Sequence, residues 1–174
     1  SGTGLTKLSQ QYHEIIREHI CRGAYKHAKR PILINNWEAT YFNFNEEKIL
    51  KIAEQAQKLG IEMLVLDDGW FGKREDDNSG LGDWFVNEKK MNGSMAQLAE
   101  KIHKMGMKFG LWFEPEMISE DSDLYRAHPD WAFAIPGRVP NHSRNQLVLD
   151  MTREDVREYL LERLTTIVHD AKID

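Results

Sequence analysis

One cysteine in 174 residues, Cys21, excludes an internal disulfide and with it the stapled class of small secreted folds. This fits a reducing interior, and the expected location is the cytoplasm. Basic residues are not in excess: 23 Lys and Arg stand against 28 Asp and Glu, a net charge of −5. Neither a nucleic-acid backbone nor an anionic membrane surface is an expected partner. No apolar run approaches the roughly 18 residues that cross a bilayer, and Ser1 to Gly4 does not open a secretory signal. The 7 histidines are scattered, and none forms a His-x-His or His-x-x-x-His pair, so no metal or other cofactor is expected. Cys21 itself reads as a small, partly buried side chain near a helix end.

What is present is an internal repeat. Ala53-Glu54-Gln55-Ala56-Gln57-Lys58-Leu59-Gly60-Ile61 recurs as Ala99-Glu100-Lys101-Ile102-His103-Lys104-Met105-Gly106-Met107. Each copy reads as the end of an amphipathic helix, a Gly where the chain leaves it in left-handed conformation, and then a hydrophobic strand. The helix starts agree: Asn45 ahead of Glu46 and Glu47 reads as an N-cap, and Ser94-x-x-Gln97 as a capping box. Thr152-x-x-Asp155 reads as the opening of a third helix running to about Asp170. Strands are predicted at Pro31 to Asn36, Glu62 to Asp67 and Lys108 to Phe113. Strands alternating with helices imply right-handed crossovers and a parallel sheet, the α/β class.

Residues 1–30 lie outside this rhythm. Leu8, Tyr12, Ile15, Ile16 and Ile20 have helical spacing between Leu8 and Cys21, and the basic run Arg22 to Arg30 reads as a solvated connector. A closed (β/α)8 barrel takes roughly 250 residues. The expected fold is therefore a partial (β/α)8 TIM barrel: a linker helix and connector over 1–30, then about the first three βα units over 31–174. The repeat calls for a fourth strand near Asp174. A sheet stopped there has an unpaired edge and an uncovered apolar face, so a homo-oligomer is expected.

The strand ends carry the chemistry. Leu64-Val65-Leu66-Asp67-Asp68-Gly69-Trp70-Phe71 is a buried-strand run ending in two carboxylates, a Gly and two rings. Strand one ends in Asn35-Asn36-Trp37-Glu38, and strand three in Trp112-Phe113-Glu114-Pro115-Glu116. In parallel α/β folds ligands sit outside the carboxyl ends of the strands, so these groups converge on one mouth. Carboxylates accept hydrogen bonds from sugar hydroxyls, and an indole face suits the C–H side of a pyranose. Asp67 and Asp68 read as a substrate clamp, with Asp68→Ala expected to leave the fold intact, and Trp112 as a ligand contact. Glu114 and Glu116 read as holding other residues in place. Retaining glycosidases need two carboxyls roughly 5 to 5.5 Å apart across the scissile bond, whereas neighbours on a strand start toward opposite faces.

Four ordered motifs, Asn35 to Ala39, Leu66 to Phe71, Gly110 to Glu116 and Arg144 to Asp150, closely resemble bacterial α-galactosidases of glycoside hydrolase family 36. The resemblance runs from about Leu5 to Asp174. It implies a retaining hydrolase of terminal α-galactosides of the raffinose and melibiose type, with α-galactoside oligosaccharides as partners. It places Trp37, Asp67, Asp68, Trp112 and Arg144 on galactose-contacting positions, the Asp pair taking O4 and O6. The residues alone leave Arg144 as a solvated charge in the loop Pro136 to Gln146. The family's nucleophile is an Asp in a Lys-Trp-Asp motif closing strand four, and its acid/base Asp lies on strand six. Neither is in this chain, so no catalytic residue is assigned and the segment alone is expected to be inactive.

Other readings stay open on the sequence. One is a non-catalytic galactose-binding or self-associating module. Another is a barrel enzyme holding Mg²⁺ with acids at strand ends, disfavoured by the tryptophans and the lack of a Lys or His base there. Galactosyl transfer, or action on α-N-acetylgalactosamine, is open within the family resemblance.

Overall fold

Apolar side chains at 49, 53 and 56, and again at 98, 99 and 102, fall on one face of a helix, and in the structure these two faces are fully packed. The computed structural model describes residues 4–174. The chain divides into two compact units, Ser1–Ile32 and Leu33–Asp174.

In the first unit, helix α1 (Leu5–Ile15) runs on into a π turn, Ile16–Ile20, and a 3-10 turn follows at Gly23–Lys26. The basic connector is tied within itself and to the π turn before it. Arg30 donates to the Tyr25 carbonyl at 2.6 Å, and Lys26 pairs with Glu18 at 2.8 Å.

The second unit contains β1 (Leu33–Asn35), α2 (Trp37–Thr40), α3 (Glu46–Lys58), β2 (Met63–Leu66), α4 (Glu88–Met91), α5 (Met95–Lys104), β3 (Lys108–Leu111), β4 (Met117–Ile118), α6 (Asp123–Ala127), β5 (Leu147–Val148) and α7 (Glu154–Asp170). Strands β1, β2 and β3 form a parallel sheet in that order, with Asn35 opposite Val65 and Leu66 opposite Leu111. Helices α3 and α5 make the two crossovers. Helix α3 packs on α5, and α5 packs on β3 and α7. Leu64, Leu66 and Phe109 from the sheet meet Ile49, Ala53, Leu98 and Ile102 from the helices in one core.

The caps explain the boundaries. Asn45 accepts from the Lys48 N–H at 3.0 Å, and Ser94 with Gln97 forms a complete capping box. At the other ends Gly60 (φ 79°) and Gly106 (φ 77°) close the helices, with the Ile61 N–H bonded to the Ala56 carbonyl and the Met107 N–H to the Ile102 carbonyl. This double closure is the Schellman arrangement, whose C′ position needs positive φ.

One reading is corrected. Thr152 does not cap α7, which starts at Glu154 with Arg153 at the N-cap and no side-chain cap. Thr152 Oγ1 instead donates to Asp150, and Asp155 is held by the Arg153 guanidinium at 2.7 Å, so both members of the expected box are engaged elsewhere. The antiparallel pair β4–β5 was not anticipated, since two-residue strands carry no readable period. It ties the segment after β3 to residues 147–148. At the chain's last residue, Asp174 donates its N–H to the Phe109 carbonyl at 3.0 Å, and its carboxylate accepts from the Phe109 N–H at 2.9 Å.

Space and backbone conformation can be separated at the repeat glycines, because a Cβ at Gly60 or Gly106 would meet nothing within 4 Å. Gly60→Ala and Gly106→Ala should each cost about 1–2 kcal/mol from left-handed strain alone, with Asn at the same positions costing less. Urea midpoints check this, and an Ala variant as stable as the parent would contradict it.

Candidate functional site

Asp67 is the first residue past β2, and two asparagines fix it. Asn36, fully buried, accepts the Asp67 N–H on Oδ1 at 2.8 Å and donates through Nδ2 to Thr40 Oγ1. Asn35, one strand over, donates its amide to Asp67 Oδ2 and accepts the Trp37 N–H on Oδ1 at 2.7 Å. The other Asp67 oxygen accepts the Asp68 N–H at 2.7 Å. One asparagine amide thus couples the carboxylate at the end of β2 to the Trp37 backbone at the end of β1.

Asp68 points elsewhere. Its side chain is 3% exposed and Arg74 is fully buried beside it. The guanidinium grips it with Nε at 3.0 Å from Oδ1 and 3.2 Å from Oδ2, and Nη2 at 2.8 Å from Oδ2. Nη1 donates to the Ser79 carbonyl at 3.0 Å, and the guanidinium carbon sits 5.4 Å from the Phe42 ring centre. Phe42 in turn meets Trp37 edge-on at 5.0 Å. A bidentate Arg–carboxylate contact is the form in which a buried charge pair meets its desolvation cost. Gly69 follows at φ 99°, and its carbonyl accepts from Lys90 Nζ at 2.8 Å. That ammonium lies 4.1 Å from the Phe44 ring centre, and burial pushes its pKa down.

Arg144 reaches the site on a hairpin. Ser143 and Gln146 exchange backbone hydrogen bonds at 3.1 and 3.0 Å, with Arg144 (φ 52°) and Asn145 (φ 60°) between them. Two central residues at positive φ make a turn of the I′ kind, which is strained for an arginine. Its guanidinium lies 3.4 Å from Asp77 and 3.9 Å from Glu114. Asp77 lies 3.8 Å from Arg74. A line of alternating charge therefore joins Asp68, Arg74, Asp77, Arg144 and Glu114. Burial pushes the Glu114 carboxyl up, against the pull of Arg144. Its Oε2 is buried with no hydrogen-bond partner among the described residues.

Trp112 is half-buried at the end of β3, parallel to Phe71 with ring centres 6.5 Å apart. Trp70 and Phe71, the two rings that follow the Asp pair and Gly69 in sequence, are fully buried. Trp70 Nε1 donates to the Trp112 carbonyl at 3.0 Å, which satisfies the indole N–H inside the core. Trp70 and Phe71 therefore support the site from beneath. Trp37, Asp67, Asp68, Trp112 and Arg144 all lie on elements that meet at the carboxyl ends of β1, β2 and β3. Sequence reasoning missed Arg74, since an arginine followed by Glu75, Asp76 and Asp77 looks like a solvated charge run.

The two aspartates should therefore differ. Asp68→Ala strands a buried guanidinium and should cost about 3–5 kcal/mol of stability. Asp67→Ala removes an acceptor from a partly exposed asparagine and should cost about 1 kcal/mol. Thermal unfolding of both variants decides it, and equal losses would contradict the asymmetry.

The family model described as Melibiase matches residues 1–174. The bifunctional alpha-galactosidase/sucrose kinase AgaSK of Mediterraneibacter gnavus is 58% identical over the whole chain, which covers 19% of that protein. The alpha-galactosidase AgaA of Geobacillus stearothermophilus is 54% identical over 99% of the chain and 24% of its own length. The crystal structure of AgaA, a GH36 alpha-galactosidase, superposes with a TM-score of 0.92 at 54% identity, over 99% of this chain and 24% of that one. AgaA variants have been solved in complex with raffinose and with stachyose. This chain thus spans 19% and 24% of the length of these two curated relatives. On a match that runs over all 174 residues, the chain belongs to the Melibiase family.

Proposed function

We propose that the protein carrying this chain is a retaining α-galactosidase acting on terminal α-D-galactosides, and that these residues supply its galactose-holding wall. Residues 31–174 are then the first βα units of a (β/α)8 barrel, entered through the linker helix of 1–30. The Asp174–Phe109 backbone bond, on the free side of β3, supports a further strand there. In this reading Asp67 and Asp68 accept sugar hydroxyls, Trp37 and Trp112 offer aromatic faces, and Arg144 donates. The observation that carries it is the convergence of these groups, with Arg144 held in a strained turn to reach Glu114. The raffinose and stachyose complexes of AgaA support the substrate class. The cytoplasm is kept as its setting on the single cysteine.

The chemistry itself is assigned elsewhere. Asp68 is committed to Arg74 and Asp67 to Asn35 and its own turn, so neither is free to attack an anomeric carbon. Glu114 has the raised pKa of a proton donor, yet its buried Oε2 and its pairing with Arg144 suit a residue that holds that arginine. Trp37, Asp67, Asp68, Trp112 and Arg144 therefore bind, and nucleophile and acid/base come from other parts of the enzyme.

The full-length protein should hydrolyse p-nitrophenyl α-galactoside, leave the β-anomer untouched and keep its activity in EDTA. Glu114→Gln should lower kcat/KM by no more than about tenfold, the cost of one weakened ion pair. A loss of about 10⁴-fold with a flattened pH profile would make Glu114 the proton donor instead. For the 174-residue segment alone, β1 leaves Leu33 about half exposed at 51% and one edge unpaired among the described residues. Sedimentation equilibrium should find it self-associated, and a 20.3 kDa monomer at all concentrations would refute that.

A further inference from the structure

We propose that Arg74 is a positioning residue for galactoside recognition, acting through Asp68 to fix the direction in which that carboxylate accepts a sugar hydroxyl. This rests on the reading of Asp68 as a sugar contact. A carboxylate has about four lone-pair sites and turns readily about its Cβ–Cγ bond in water. Here both oxygens face one planar guanidinium, at 2.8 to 3.2 Å, so rotation would break contacts to Nε and Nη2 together. The fork occupies both oxygens, and the 3% of the side chain that stays exposed limits the directions from which a donor can reach what is left.

Arg74 is itself over-determined. Ser79 accepts from Nη1, Phe42 covers the guanidinium, and Asp77 lies 3.8 Å away. The Gly80 backbone comes so close that a Cβ there would sit 2.9 Å from the Arg74 N atom. A lysine carries the same charge but no fork, so it would leave Asp68 paired and free to turn. A fixed acceptor also discriminates. It rewards the galactoside with a hydroxyl in place, and a deoxy analogue leaves its remaining acceptor site buried and unmet.

In the full-length protein, kcat/KM should be measured on p-nitrophenyl α-galactoside and on its 4-deoxy and 6-deoxy analogues. Asp68→Asn identifies the hydroxyl concerned, as the one whose deoxy analogue shows no further loss. Arg74→Lys should then lower kcat/KM on the parent galactoside by about 10- to 100-fold, yet by less than about twofold on that analogue. The double variant should be no worse than Asp68→Asn. Gly80→Ala, which displaces Arg74 with both charges kept, should reproduce the selective loss. Equal losses on all three substrates, no loss, or additive losses in the double variant would overturn the proposal. So would failure of both Arg74→Lys and Gly80→Ala to fold, which would make the pair a folding element only. If the wild type turns over none of the three substrates, the α-galactosidase reading falls, and this proposal with it.

Discussion

A buried charge pair at the end of one short strand organises the rest of the site. Asp68 and Arg74 are both withdrawn from water, and neither tolerates that without the other. To bring the guanidinium to the carboxylate the chain makes a loop after β2, with Gly69 (φ 99°) at its start and Gly80 (φ 80°) packed against the Arg74 backbone. The same guanidinium then gathers Phe42, the Ser79 carbonyl and Asp77. Through Phe42 it reaches Trp37, and through Asp77 it reaches Arg144. Removing one member would release groups on three different loops.

The strands and helices below serve as a rigid base for this arrangement. Parallel pairing sets the ends of β1, β2 and β3 side by side, and side-chain amides extend that order past the last ladder bonds. Asn35 and Asn36 do for Asp67 what Arg74 does for Asp68, with neutral groups and at a partly exposed position. Beneath them Trp70, Phe71, Trp84 and Phe113 form an aromatic layer with ring centres between 4.4 and 6.1 Å apart. Such rings move little, which suits a wall against which a ligand is positioned.

Much of the fold was legible because its signals are local. The repeat, the Asn45 and Ser94 caps and the two Gly closures each satisfy backbone groups within a few residues, so they can be read from spacing. The Thr152 box misled because the pattern does not show that Arg153 engages Asp155. A tryptophan beside acids can face a ligand or the core, and the Trp112 carbonyl that accepts the Trp70 N–H marks Trp70 as core. Arg74 was not legible at all. Its partner lies six residues away across a loop whose path depends on the closed structure, and its neighbours in sequence are exposed acids.

The Melibiase family match and the raffinose complex of AgaA support a galactoside as the ligand proposed for the mouth these residues line. The most direct test is a crystal structure of the full-length protein with galactose bound. Asp67 and Asp68 should each accept a different sugar hydroxyl within about 3.2 Å, with the Arg74 fork still on Asp68 and the Arg144 turn unchanged. A sugar bound with no contact to Asp68, or an Asp68 that lets go of Arg74 to reach it, would contradict this account.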